Sequence, residues 1–408
     1  MLYSKNPDRF LPKFWPTYYS KAKGCYIWDL DNTRYTDFSI MSVGTNILGY
    51  ANSQVNDYVI KQIKKSNIST LNSKLDLILA KELLKIDKWA SKVRFAKTGG
   101  EILSVAIRIA RTYSKKDNVA FCGYHGWHDW YLSSNLQNKK NLNNNLISNL
   151  SCEGIPSNLK NTNFPFKWND IKDFKRVVSK KNIGTVIMEV HRNVPPDKNF
   201  LKEIRKICNK KKIVLIFDEC TSGFREVYGG IYKKYGIRPD IVMYGKSLGN
   251  GFPITALVGK KNIMSSSNKT FISSTYWTEN IGTAAAIKTL ELMKKKKSWL
   301  VIKKRGQYIK KRILNISKKH KINIKISGLD AMPKIEFDKK NKLFCDFICY
   351  EMLQNKFLFK NTVYLSISHT ESIIESFLKL LDKILFKLST NKSKIKKFKT
   401  LSDFKRYN

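Results

Sequence analysis

The chain has 408 residues, 42% of them hydrophobic and 12% aromatic, which excludes a disordered or fibrous polypeptide and suits a large domain with a smaller companion. No apolar run reaches the length of about 18 residues that a membrane span needs. The formal net charge is +44, from 76 Lys and Arg against 32 Asp and Glu. Such a balance admits a nucleic acid or anionic-surface partner. It also fits lysines spread over solvated helix faces, and the runs Lys210–Lys212 and Lys294–Lys297 lie beside helical patterns. Only Lys392–Lys399 concentrates charge, so no specific nucleic acid partner is expected. The N-terminus lacks the apolar core of a secretion signal. Seven scattered cysteines without a CxxC fit reduced thiols in a cytoplasm.

Residues 1–23 read as irregular, with Pro at 7, 12 and 16. Alternating apolar residues on either side of Asp31-Asn32 predict a β-hairpin over Gly24–Phe38. Ser42–Tyr50 is a glycine-containing loop, and helical spacing follows over Val55–Lys65 and Leu75–Leu84. Val93–Ala96 predicts a strand that leads into Lys97-Thr98-Gly99-Gly100-Glu101 and an amphipathic helix carrying Ile102, Val105, Ala106 and Ile109. A Gly-Gly turn at a helix start leaves backbone N–H groups free for phosphate, and Thr98 with Glu101 also forms a capping box. Val119–Cys122 is the next strand, ending in Gly123-Tyr124-His125-Gly126-Trp127-His128-Asp129. An aromatic at such a strand end can cover a planar ring. His125 and His128 have no strong third ligand nearby, so no metal is expected.

Asn138–Asn163 is polar, Asn-rich and patternless, either a disordered insert or a lid. Ile183–Met188 predicts a buried strand with Glu189 at its end, and Leu201–Asn209 a helix. Ile213–Phe217 and Ile241–Tyr244 read as strands buried on both faces, with Asp218 just beyond the first and Lys246 just beyond the second. In open α/β sheets the ligand crevice lies at the carboxyl ends of the strands, where this acid and amine would meet. A lysine in a partly dry pocket loses affinity for its proton and attacks aldehydes. Pyridoxal phosphate needs such a lysine, and a carboxylate that keeps its ring nitrogen protonated. A surface lysine and a helix-capping aspartate would satisfy the same spacing. Phe271–Glu279 precedes a helix from about Ile281, which Thr278 could cap. From about Ser298 a smaller α+β region follows: a helix over Leu300–Lys318, strands near Ile322–Ile326 and Lys334–Phe337, and a last helix to about Leu388. The tail from Ser389 is polar, basic and expected to fray.

Asp218-Glu219-Cys220, Thr221-Ser222-Gly223-Phe224-Arg225, Pro239-Asp240-Ile241 and Gly245-Lys246-Ser247-Leu248-Gly249 together resemble the signature of class III pyridoxal phosphate aminotransferases. The Ser-Gly-Phe-Arg version is similar to the branch containing glutamate-1-semialdehyde 2,1-aminomutase. The resemblance implies a fold-type-I α/β enzyme with a mostly parallel central sheet between helix layers. Residues 51–295 would form the large cofactor domain; residues 1–50 and 296–390 would build a small α+β domain, and 391–408 a basic tail. It implies Lys246 as the Schiff-base lysine, Asp218 as the partner of the ring nitrogen, and Gly99 and Gly100 as phosphate contacts. The family usually has Ser or Thr at the position of Gly100, so one hydroxyl contact is missing. Tyr124 would stack on the ring with His125 beside it, and Thr221 would contact the ring oxygen. Glu189 would lie near the ring, although the family's Glu-Pro is here Glu189-Val190.

Thr275 would reach the phosphate held by the other subunit, which implies a homodimer. Gly44 and Asn46 are candidate substrate neighbours, and Arg9 is a counterpart for the arginine that holds the aminomutase substrate's carboxylate. Gly154-Ile155-Pro156 and Phe164–Asp170 resemble the borders of a mobile gate. Tyr364–Thr370 resembles the family's closing strand, in which His369 is expected to make a satisfied polar contact and no catalytic one. The expected reaction moves an amino group from an amino acid donor to a keto or aldehyde acceptor such as a surface-sugar precursor. An intramolecular amino shift is the alternative, and a non-catalytic relative or a binder of anionic polymers are rivals of another class.

Overall fold

The apolar runs become strands of one seven-stranded sheet in the computed structural model, which describes residues 5–143, 145–146, 149–337, 342–390 and 405–406. In chain order the strands are β1 (Lys92–Ala96), β2 (Asn118–Cys122), β3 (Asn163–Pro165), β4 (Ile183–Glu189), β5 (Val214–Asp218), β6 (Ile241–Tyr244) and β7 (Thr255–Gly259). Across the sheet they run β1-β7-β6-β5-β4-β2-β3. β7 is antiparallel to β1 and β6, and the remaining pairs are parallel. β4 to β7 are buried at every position, so both faces of the sheet's centre are covered. Helices α1 (Gly99–Ser114), α2 (Ile171–Lys180) and α3 (Phe200–Lys210) pack against it, each with its apolar stripe inward.

Two strands of this sheet are not among those expected from the sequence. β3 contains Pro165, tolerated because β3 lies at the sheet's edge, where a missing N–H costs no ladder bond. β7 follows the Gly251-Phe252-Pro253 turn, and its run Thr255–Gly259, buried at every position, is a signal that could have placed it. The Asn-rich stretch is not a disordered insert where it is described. Leu142 is buried there, and asparagines hold the turns: Asn141 Nδ2 donates to the Ser134 carbonyl at 2.8 Å and Asn135 Nδ2 to the Leu150 carbonyl at 2.9 Å. Residues 144, 147 and 148 of this stretch, and the expected basic tail apart from 405–406, lie outside the described residues.

The chain divides into two units, Asp57–Leu290 with Phe404–Asn408, which holds the seven-stranded sheet, and Met1–Asn56 with Glu291–Asp403. The latter has an antiparallel meander of Tyr19–Lys23, Tyr26–Asp29 and Arg34–Asp37, extended by Phe357–Leu358 parallel to the last. The expected hairpin is present and turns at Asn32 with φ 57°. Residues 1–23 are not irregular throughout, since Tyr19–Lys23 is a strand. Its nearly all-exposed edge position leaves no alternation to read. Helices Ser298–Lys319, Lys342–Gln354 and Glu371–Thr390 and a ribbon of Ile324–Ser327 with Lys334–Phe337 complete this unit.

Tyr364–Thr370 is not a strand. Its N–H groups donate to three separate segments, Tyr364 to Ser39 O, Leu365 to Ala331 O and Ile367 to Ile47 O, so no ladder forms. His369 is satisfied there: Nδ1 accepts the Ser366 N–H at 3.1 Å and Nε2 donates to the Asp37 carbonyl at 2.8 Å.

Candidate active site

Strand register fixes which residues meet at the carboxyl edge of the sheet. Cys122 pairs with Met188, Glu189 with Asp218, and Asp218 with Met243. The residues just past these pairs (Tyr124 and His125 after β2, Thr221 after β5, Lys246 after β6) are therefore delivered to one edge. The Gly99 end of α1 is close by. A Cβ at Gly99 would lie 3.5 Å from Cys220 Sγ and 3.6 Å from Met243 Cε.

Hydrogen bonds join these side chains. Lys246 Nζ donates to Thr221 Oγ1 at 2.5 Å, and the same oxygen accepts Arg192 Nη1 at 3.1 Å. Arg192 pairs with Glu189 at 2.9 Å, and the other Glu189 oxygen accepts the Tyr124 N–H at 3.1 Å. Asp218 Oδ2 lies 2.8 Å from His125 Nδ1, and Asp218 Oδ1 accepts the Cys220 N–H at 3.0 Å. Asp218, Glu189, Arg192, His125 and Thr221 are all buried, whereas Lys246 and Tyr124 are partly open.

Burial raises the phenol of Tyr124 and the thiol of Cys220, the latter despite the nearby Lys246 cation. Cys220 thus stays protonated and is no rival to Lys246 as a nucleophile. Beside it, burial pushes the Glu219 carboxyl up to about 7. That side chain accepts the Tyr232 N–H at 3.0 Å and so serves the turn after β5.

The arrangement suits an aromatic aldehyde carrying an anion. An amine and a carboxylate stand on neighbouring strand ends, and His125 Nε2 is a buried nitrogen with no partner among the described residues. The first-turn N–H groups of α1, which have no intrahelical acceptor, supply an anion-binding end. Thr275 lies exposed in the turn Thr275–Thr278, whose Trp277 donates from Nε1 to Glu101 in the first turn of α1 at 2.8 Å. The helix beyond that turn is capped by Glu279, which accepts the N–H groups of Ile281 at 2.8 Å and Gly282 at 3.2 Å, not by Thr278. Arg9, Gly44 and Asn46 belong to the other unit, where Arg9 and Asn46 are buried.

Arg192 is the site residue that sequence reasoning missed. A cation three positions past a strand-end glutamate is within ion-pair reach, and that signal could have found it.

A sequence profile described as Aminotransferase class-III matches residues 12–372. The chain belongs to the class III aminotransferases. Like other class III aminotransferases, it is a pyridoxal-phosphate-dependent enzyme of amino-group transfer. It is 31% identical over 345 residues to a 3-aminobutyryl-CoA aminotransferase of Cloacimonas acidaminovorans, covering 82% of this chain and 79% of the relative. A glutamate-1-semialdehyde 2,1-aminomutase of Nitrosopumilus maritimus is 36% identical over 308 residues, covering 73% and 71%. The fold is that of the FumI protein of Sphingopyxis sp. MTA144, with TM-score 0.88, 22% identity and coverage of 97% and 94%. Among the described residues of this class III chain, no helix is long and apolar enough to cross a membrane.

Proposed function

We propose that this enzyme moves an amino group from an amino acid donor to a keto or aldehyde acceptor, with Lys246 holding the cofactor and Asp218 serving its ring nitrogen. The observation that carries the reading is the placement of Lys246 and Asp218 at the carboxyl ends of adjacent parallel strands, with Thr221 bonded to the Lys246 amine.

When bound, pyridoxal phosphate supplies an electron sink for the charge left at the donor's Cα. The chain's residues do the rest. Asp218, fixed by His125 and the Cys220 N–H, would hold the proton on the ring nitrogen. Thr221 would turn its hydroxyl to the ring oxygen, and Tyr124 would cover a ring face and exclude water. Glu189, clamped by Arg192 and the Tyr124 N–H, would flank the ring. The N–H groups of Gly99 and Gly100, with the α1 dipole, would bind the phosphate. Lys246, as acid and base, would take the proton from the donor's Cα and deliver one to the acceptor's carbonyl carbon.

The enzyme would work as a homodimer in which Thr275 reaches the partner's phosphate; the exposure of Thr275 supports this. Seven free cysteines support a reducing, cytoplasmic setting. A second reading, an intramolecular amino shift, is favoured by the aminomutase name that several relatives carry.

The test is an absorption spectrum of the purified protein with and without borohydride, followed by mapping of the reduced adduct. Adduct on Lys246 is expected, and adduct on another lysine overturns the assignment. A panel of amino donors and carbonyl acceptors, with glutamate-1-semialdehyde alone as one arm, then separates transfer between two molecules from transfer within one.

A further inference from the structure

Gly126, at φ +99°, folds the loop after β2 onto the start of α1. A Cβ on Gly126 would lie 3.0 Å from the Gly100 Cα. This close approach drives the His128 ring into the space above Gly100. A Cβ added at Gly100 would lie 2.4 Å from His128 Nδ1 and 2.6 Å from its Cε1, inside any tolerable contact. The imidazole thus occupies the volume a side chain at position 100 would fill. The Trp127 ring backs it at 4.5 Å between centroids.

His128 Nδ1 is shielded from water and has no hydrogen-bond partner among the described residues. A buried ring nitrogen left without a partner costs free energy unless a ligand supplies one. Its surroundings specify the ligand's charge. The N–H groups of Gly99 and Gly100 open a helix of sixteen residues, whose dipole places positive potential at that end. Glu101, the acid of this first turn, is turned back onto the N–H groups of Lys97 and Thr98 at 2.8 and 3.1 Å and bonded to Trp277 Nε1 at 2.8 Å. Its charge is engaged away from the opening. Burial lowers the His128 pKa, so the neutral ring carries one N–H to place on either nitrogen.

We propose that His128 donates its Nδ1–H to the cofactor's phosphate, beside the first-turn amides of α1. His128 is then a cofactor-binding residue that stands in for a hydroxyl at position 100, and Gly100 is glycine because the ring needs the space. The inference rests on the reading of Gly99 and Gly100 as the phosphate cradle.

The experiment compares cofactor affinities of the full-length apoprotein for pyridoxal phosphate and for pyridoxal, which lacks the phosphate. His128→Ala is expected to weaken pyridoxal phosphate by about tenfold or more, the worth of one hydrogen bond to a charged group, and to leave pyridoxal unchanged. His128→Asn, whose amide can place an N–H near Nδ1, is expected to keep most of the affinity. Adding Gly100→Ser to His128→Ala is expected to restore binding, because the vacated space admits a hydroxyl. Unchanged pyridoxal phosphate affinity in His128→Ala, or equal losses for both ligands, overturns the proposal. If the wild-type protein itself binds pyridoxal as tightly as pyridoxal phosphate, the cradle reading falls and the proposal with it.

Discussion

His125 Nδ1 lies 2.8 Å from Asp218 Oδ2, with both side chains buried at the carboxyl edge of the sheet. The contact orients the carboxylate and uses the ring nitrogen nearer the backbone. The far nitrogen, Nε2, stays buried without a partner among the described residues. Replacing His125 by Phe keeps the packing against Trp130, 6.2 Å away, but removes the donor. Turnover is expected to fall by about tenfold to a hundredfold, the loss of one hydrogen bond to a charged group, with little change in cofactor affinity. Steady-state rates and cofactor titration check this; an unchanged rate removes His125 from the machinery.

Asp218→Asn preserves shape and one acceptor but not the charge that holds a proton on the ring nitrogen. Loss of such a placed charge typically costs ~10²–10³ in rate, and that is the expected fall in turnover. The variant should still form a borohydride-reducible adduct at Lys246. Peptide mapping of the adduct alongside the rate separates lost chemistry from lost binding.

If Thr275 serves the partner's phosphate, the site defects of Lys246→Ala and Thr275→Val lie in different halves of a shared site. Mixed dimers of the two variants would carry one intact site and regain activity that neither variant has alone. Activity assays after mixing unfolded and refolded chains test this; no recovery despite mixed dimers would place both residues in one subunit's site.

Glu219 makes stability depend on pH. Burial raises its carboxyl from the usual 4.5 to about 7, so the folded chain binds a proton that the unfolded chain has released. Its contribution is complete below about pH 4.5 and is lost as pH rises through about 7. Glu219→Gln cannot ionise and keeps an acceptor for the Tyr232 N–H. Urea unfolding should show near-equal stability at low pH and a more stable variant at pH 8, by at most about 3 kcal/mol. A difference that stays flat with pH would reject this account.

Asp87 is a buried hub that accepts the hydroxyls of Tyr232 at 2.5 Å and Tyr244 at 2.6 Å, and it faces Lys233 at 3.1 Å. Both phenols are pushed up by burial next to its charge. Asp87→Ala leaves two buried hydroxyls without their acceptor and should destabilise by about 3 kcal/mol, read as a lower urea midpoint. Asp87→Asn should recover part of the loss.

Much of the site was legible in the linear chain because its residues sit at strand ends, and strand ends can be read. Apolar runs that stop at Asp218, at Glu189 and just short of Lys246 announce both a buried sheet and the polar groups at its rim. The capping box at Thr98 was local enough to follow from neighbours, as was the Ser366 N–H that His369 accepts, whereas the bond from His369 to the Asp37 carbonyl joins distant parts of the chain. Edge elements escaped, because Tyr19–Lys23 is almost wholly exposed and β3 is only three residues long and contains a proline. Tyr364–Thr370 reads as a strand only through its resemblance to the family's closing strand. Its backbone partners, however, are spread over Ser39, Ala331 and Ile47, which no local pattern encodes.

By itself, the order of residues determined the layered α/β plan, the amine and acid at neighbouring strand ends, and the glycines opening α1, since each depends on periodicity or on near neighbours. Only the tertiary structure decided that Arg192 reaches Thr221, that His125 faces Asp218, and that His128 fills the space over Gly100. Arg192 to Thr221 and His125 to Asp218 bring together residues far apart in the chain. Strand register delivers these residues to one edge, and register exists only once distant segments pack.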